Sequence, residues 1–138
     1  MPVATSPLHV MAGVLRRPDG RVLITERPAG KHLAGCWEFP GGKLDPGETP
    51  RDGLARELHE ELGILLVAAE PLLALPWRYD NKHLLLDTWL VLAWQGTPQP
   101  LERQALEWIM PADLAPERLA PADREILRHL LSRQDVSR

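Results

Sequence analysis

A single cysteine, Cys36, stands in these 138 residues. One thiol can form neither an intrachain disulfide nor a cysteine zinc cluster, and such sparse use fits a reducing, cytoplasmic compartment. Long apolar runs are missing too. No stretch approaches the roughly 18 apolar residues of a membrane-spanning helix, so no membrane partner is expected. The opening MPVATSPLHVMAG lacks the basic start and longer apolar core of a signal peptide. Nor is there an excess of positive charge. The formal net charge is −3, which disfavours polymeric nucleic acid as a partner but leaves room for a local basic pocket that takes one phosphate group. Internal repeats and low-complexity linkers are absent as well. What is present is ordinary for a globular chain: 44% apolar and 25% charged residues. With this length, the composition predicts one domain spanning residues 1–138, a monomer or small homo-oligomer.

Along the chain, residues 9–17 and 22–26 read as strands around the turn signal Arg-Pro-Asp-Gly-Arg, together suggesting a hairpin. Residues 28–35 form a loop, and Trp37-Glu38-Phe39 is a short extended piece halted by Pro40-Gly41-Gly42. Thr49 is a credible N-cap, with Pro50 at the first helical position and Asp52 completing a capping-box pattern. Leu54, Leu58 and Leu62 supply the buried stripe of that helix, and Gly63 sits where its C-terminal cap belongs. Apolar runs at 64–69, 72–75, 82–95 and 107–110 are strand candidates. Residues 111–114 suggest a helical turn. Residues 121–132 predict a final amphipathic helix with Leu127, Leu130 and Leu131 toward the core, and 134–138 a frayed end.

One feature of the first helix runs against local stability. Glu57, Glu60 and Glu61 lie at i, i+3 and i+4, so three carboxylates crowd adjacent turns. Each like-charged pair at such spacing costs roughly 0.2–0.5 kcal/mol in a bare helix. A violation this plain is offset by function more often than tolerated for nothing, and a hard divalent cation is the natural counter-charge.

Residues 42–64 read G-x5-E-x7-R-E-U-x-E-E-x-G-U, with U aliphatic. Seven fixed residues at background frequencies of roughly 5–7% give a chance near 10⁻⁹ per starting point. The segment resembles the signature of the Nudix hydrolases at every specified position. Arg27, the loop ending in Lys31-His32, and the run from Trp37 to Lys43 are similar to the MutT branch, as are Tyr79, the Glu107-Trp108 pair and Pro121-Ala122-Asp123.

The resemblance implies an α/β fold, an α/β/α sandwich with a central mixed β-sheet. It implies a nucleotide substrate, Mg²⁺ with Mn²⁺ as a substitute, attack by water on phosphorus, and release of a nucleoside monophosphate and pyrophosphate. Glu57 and Glu61, one turn apart, are the expected ligands, with Glu60 binding directly or through water and the Gly41 carbonyl completing the site. Glu48 is a candidate for a further ion or an ordered water. Arg56 would hold the glutamates in place by ion pairing. Arg27 and Lys43 suit phosphate oxygens. Glu107 is a candidate ligand, and either Glu57 or Glu107 the general base. Tyr79 is a candidate for stacking on the base. Asp123 stands where the branch reads a purine edge with a side-chain amide, and its carboxyl leaves the preferred base open. An 8-oxo-dGTP diphosphatase is the leading expectation. A hydrolase of cytidine nucleotides or nucleoside diphosphate derivatives, or a non-catalytic nucleotide sensor, stands as the alternative.

Overall fold

The computed structural model describes residues 7–79 and 81–133, and of Tyr79 the backbone alone. The expectations for the Tyr79 side chain and for the end at 134–138 therefore lie outside the described residues. Among the described residues seven strands and two α-helices follow one another, with 3-10 turns at Pro111–Asp113 and Pro116–Arg118: β1 (Leu8–Leu15), β2 (Val22–Glu26), β3 (Trp37–Glu38), β4 (Gly41–Lys43), α1 (Pro50–Leu62), β5 (Leu65–Tyr79), β6 (Lys82–Gln95), β7 (Leu106–Ile109) and α2 (Pro121–Ser132). Two sheets form. One is mixed, in the order β4-β1-β6-β5 with β1 parallel to β6; the other is antiparallel, in the order β3-β2-β7.

Alternation along β1 organises the layers. Met11 and Leu15 face α1, joining Leu23, Leu54, Leu58, Leu62, Ile64 and Val91 in one apolar cluster. Ala12 and Val14 face α2, joining Val22, Ile24, Leu86, Leu90, Ile126 and Leu127 in another. A strand buried on both faces and paired on both edges reads as a continuous apolar run, which is why β1 lacks a polar face. The result is an α/β/α sandwich. Leu54, Leu58 and Leu62 are each fully buried, and each such burial contributes roughly 1.5–3 kcal/mol. Leu127 is buried, while Leu130 and Leu131 pack against the same core from partly buried positions.

The caps of α1 follow the expected chemistry. The Thr49 hydroxyl accepts a hydrogen bond from the Asp52 amide at 3.2 Å, and Gly63 adopts φ 72°, the left-handed conformation glycine supplies without a Cβ clash.

Two expectations are corrected. The 17–21 turn closes through Arg17 N–H to Arg21 O at 2.9 Å, yet β1 and β2 share only the Arg16–Val22 bridge and enter different sheets. Both edges of β1 are taken by β4 and β6, and both edges of β2 by β3 and β7, so no hairpin can persist. The two apolar runs after α1 merge into one fifteen-residue strand, β5, with register shifts near Leu66, Ala68 and Pro71. Its place at the sheet edge is what allows Pro71 and Pro76 within it.

Candidate active site

A cleft of about 980 Å³ opens between β1, β4, the loop after β2, the segment before β7 and the start of α2. Its size is that of a small-molecule site. Arg27, Lys31 and Lys43 bring cationic groups to its lining; Glu38, Glu61, Glu102 and Asp123 bring carboxyls; Phe39, Trp77 and Leu84 bring apolar surface. Of the sequence candidates, Arg27, Gly41, Lys43, Glu61 and Asp123 line it.

α1 reaches this cleft through the glycines of β4. A side chain at Gly41 would overlap the Met11 carbonyl, and one at Gly42 would overlap the Glu57 carboxylate. Bare backbone therefore lets β4 lie between β1 and the glutamate-bearing face of the helix. Beside it, Arg56 gathers the acidic groups of the signature. Its guanidinium donates to both Glu48 oxygens at 2.7 and 2.9 Å, to Glu57 Oε1 at 2.9 Å, to Glu60 Oε1 at 3.3 Å and to the Lys43 carbonyl at 3.0 Å. Both oxygens of Glu48 are thus engaged, and one also accepts from the Asp45 amide at 2.8 Å. Hydrogen bonding to Arg56 and to the Asp45 amide keeps the Glu48 carboxyl below its ordinary range.

Glu61 is left in the opposite state. Its Oε2 is buried and has no hydrogen-bond partner among the described residues. Burial, then the nearby charges of Glu102, Glu57 and Glu38, push its carboxyl up to about 9. Glu57 is raised as well, first by burial, with Arg56 opposing and Glu60 and Glu102 reinforcing. No three carboxylates or imidazoles among the described residues stand ready to share one ion. The donor set nonetheless fits a hard cation: an orphaned buried carboxylate oxygen, three acidic neighbours raising its proton affinity, and oxygen donors throughout.

Glu107 is not brought to this group. It alternates with Leu106 and Trp108, which pack in the α1 cluster, and so shares the other face of β7 with Ile109, a member of the α2 side. There Arg118 grips it with two hydrogen bonds, 2.7 and 3.1 Å, while stacking 4.9 Å from the centre of the Trp37 ring. Arg118, by hydrogen bonding and charge, holds the Glu107 carboxyl low. The distal carboxylate in the cleft is Glu102, five residues earlier, whose field is felt by both Glu57 and Glu61. It lies in a loop with no periodicity to mark it. Its only sequence sign was an acidic residue just ahead of the last strand.

The cleft's inner end is built on Asp123. This residue is 8% exposed, and its Oδ2 accepts the Phe39 amide at 2.9 Å, joining the first turn of α2 to the segment after β3. Burial above all, with help from the Glu38 charge, pushes its carboxyl up to about 7; the Phe39 hydrogen bond and Arg27 pull the other way. Arg27 itself is divided between Glu38 Oε1 and the His32 carbonyl, each at 3.1 Å.

An α/β/α sandwich thus holds a cleft whose lining carries cations on one part and carboxylates on another, a combination suited to a polyphosphate held beside a hard metal ion. The Nudix domain family matches residues 7–130, and the chain belongs to that family. It is 38% identical to the CTP pyrophosphohydrolase of Escherichia coli (strain K12) over 125 residues, which is 91% of this chain and 92% of that protein. It is 35% identical to the 8-oxo-dGTP diphosphatase of the same organism over 123 residues, 89% of this chain and 95% of the other. The solution structure of the E. coli ORF135 protein superposes with a TM-score of 0.85 at 36% identity, covering 99% of this chain and 97% of that one. No helix among the described residues is long and apolar enough to cross a membrane.

Proposed function

We propose that this Nudix hydrolase is a Mg²⁺-dependent pyrophosphohydrolase of nucleoside triphosphates, releasing nucleoside monophosphate and pyrophosphate in the cytoplasm. The observation that carries the reading is the orphaned Glu61 oxygen at the cleft, flanked by the charges of Glu57 and Glu102. Glu57, Glu60, Glu61 and Glu102 would hold the ion, and the Gly41 carbonyl would add a backbone oxygen. When bound, Mg²⁺ neutralises polyphosphate charge so that water can approach phosphorus.

The protein's own share is orientation and proton transfer. Lys43 and Lys31 line the cleft where phosphate oxygens would lie. Arg27 lines it too, its guanidinium held at a fixed angle by Glu38 and the His32 carbonyl. Arg56 takes no part in the cleft lining and acts by holding Glu57 and Glu60 in place. One P–O bond forms to the attacking water as the bridging P–O bond breaks. The leaving pyrophosphate keeps the electron pair, and the water's proton passes to Glu57 or Glu102. Glu107, bound by Arg118, is the residue this scheme leaves out.

Base choice falls to Asp123. A carboxyl that titrates at about 7 offers one donor and one acceptor when protonated. On its O6/N7 edge 8-oxoguanine presents an acceptor beside a donor, whereas unmodified guanine presents two acceptors there. This supports the removal of oxidised nucleotides such as 8-oxo-dGTP. Cytidine nucleotides are the second reading, because the N4 amine and N3 of cytosine offer the same alternation, and a relative bears that activity in its name.

The test is pyrophosphate release across 8-oxo-dGTP, dGTP, CTP, dCTP, ATP and UTP, with Mg²⁺ and with EDTA. Expected is metal-dependent turnover, with kcat/KM for 8-oxo-dGTP or CTP at least roughly tenfold above dGTP, a difference of one hydrogen-bond mismatch. Glu57→Gln should abolish it while leaving thermal stability nearly unchanged. Nucleotide binding without turnover on the whole panel would mean a sensor instead.

A further inference from the structure

We propose that Gln104 is a positioning residue: its side-chain amide fastens the Glu102 loop to the carbonyl end of α1 and so sets the spacing between the Glu102 and Glu61 carboxylates. This rests on the reading above, in which both carboxylates serve the metal and the reacting phosphate.

Glu102 lies outside the strands and helices, so neither a ladder nor a helical turn holds it. Backbone anchors decide where it stands. Gln104 is 7% exposed, and its amide is spent in two directions. Its Oε1 accepts the Glu102 amide N–H at 2.9 Å, and its Nε2 donates to the Glu61 carbonyl at 3.2 Å. A single side chain thus touches the backbone of both acidic residues. Two more bonds dock the same loop on the helix end: Leu101 N–H to the Glu61 carbonyl at 3.2 Å and Gln99 N–H to the Leu62 carbonyl at 3.0 Å. The last carbonyls of a helix have no partner within it, so they are natural anchor points.

The turn between the anchors is strained. Arg103 adopts φ 62°, a left-handed conformation that is unfavourable for a residue with a Cβ. The Gln104 amide reaches back across Arg103 to Glu102, closing the turn in that form. Without it the loop can relax, carrying Glu102 away from Glu61. Displacements near 1 Å at a reacting centre cost on the order of a hundredfold in rate.

Gln104→Met keeps the size and removes both hydrogen bonds. Gln104→Asn keeps a neutral amide but shortens its reach by one methylene, so that it cannot span both partners, and it carries the test if the methionine variant fails to fold. Each is made in the full chain, alone and combined with Glu102→Gln. Measured are kcat and KM for the best nucleotide, thermal unfolding, and Mn²⁺ affinity from the electron spin resonance of free Mn²⁺.

The expected result is a roughly tenfold to hundredfold fall in kcat and a matching loss of Mn²⁺ affinity, the scale typical of groups that orient metal ligands. KM should stay within about threefold, since Gln104 lines the cleft but Arg27, Lys31, Lys43 and Asp123, which face phosphate and base in the reading above, keep their own anchors. In the Glu102→Gln background the Gln104 change should cost less than about threefold more, because the group it positions is already gone. Losses that multiply in the double variant, an effect carried by KM alone, or unchanged kcat and Mn²⁺ binding would each overturn the proposal. Wild-type turnover and Mn²⁺ affinity in Glu102→Gln alone would instead sink the assignment of Glu102 beneath it.

Discussion

Replacing Asp123 with asparagine should stabilise the protein above neutral pH and leave it unchanged in acid. The carboxyl is buried and titrates at about 7 in the fold, against an ordinary 3.8. That displacement disfavours the ionised form by up to roughly 4 kcal/mol. Below about pH 4 the group is protonated in both folded and unfolded chains and contributes no difference. Between that point and pH 7 the unfolded chain ionises while the folded one keeps its proton, so stability drains away as pH rises. Above 7 the whole penalty is in place. Asparagine has the same shape, still accepts the Phe39 amide and does not titrate. Urea unfolding of both proteins, metal-free, at several values from pH 4 to about 8 gives the difference directly. It should start near zero and grow to a few kcal/mol in favour of the asparagine variant. Parallel curves with no pH-dependent gap, or a less stable variant at pH 8, would refute the account of Asp123 as a carboxyl held neutral by burial.

Glu107→Gln should leave turnover within about threefold and cost under about 1 kcal/mol of stability, as a partly exposed ion pair is worth little; a collapse of kcat would return Glu107 to the chemistry. Adding Mg²⁺ should raise the unfolding temperature, because a cation takes the place of the proton that burial holds on Glu61, and Glu61→Gln should raise metal-free stability near pH 8 while removing the Mg²⁺ response. A metal response that survives in Glu61→Gln would place the ion elsewhere. Thr88→Val should stabilise by about 1 kcal/mol in denaturant unfolding, since the Thr88 hydroxyl is fully buried without a partner among the described residues; a loss would reveal a bond to that hydroxyl.

α1 was fully legible in the chain because its determinants are local. The Thr49 cap, the Leu54-Leu58-Leu62 stripe and the Gly63 stop each act within one or two turns. β5 was legible only in pieces, since its bulges and prolines are tolerated through an edge position that no local pattern announces. The hairpin expectation failed for a related reason: the turn between β1 and β2 is local, but the competition for strand edges is not. Glu107 stood beside a strand tryptophan and looked like site chemistry. Period-two alternation turned it to the other face of β7, where Arg118 was waiting.

By itself the sequence determined the family and the chemistry, because the spacing of Glu57, Glu60 and Glu61 on one helix is set by helical geometry and by nothing further away. Tertiary structure alone decided the rest. It put Glu102 in the cleft lining and Glu107 against Arg118, tied Glu48 to Arg56, left the buried Glu61 Oε2 without a hydrogen-bond partner among the described residues and buried Asp123 against Phe39. Charge state and neighbourhood depend on which distant segments exclude water from a group, and that is settled only once the sheets and helices have packed.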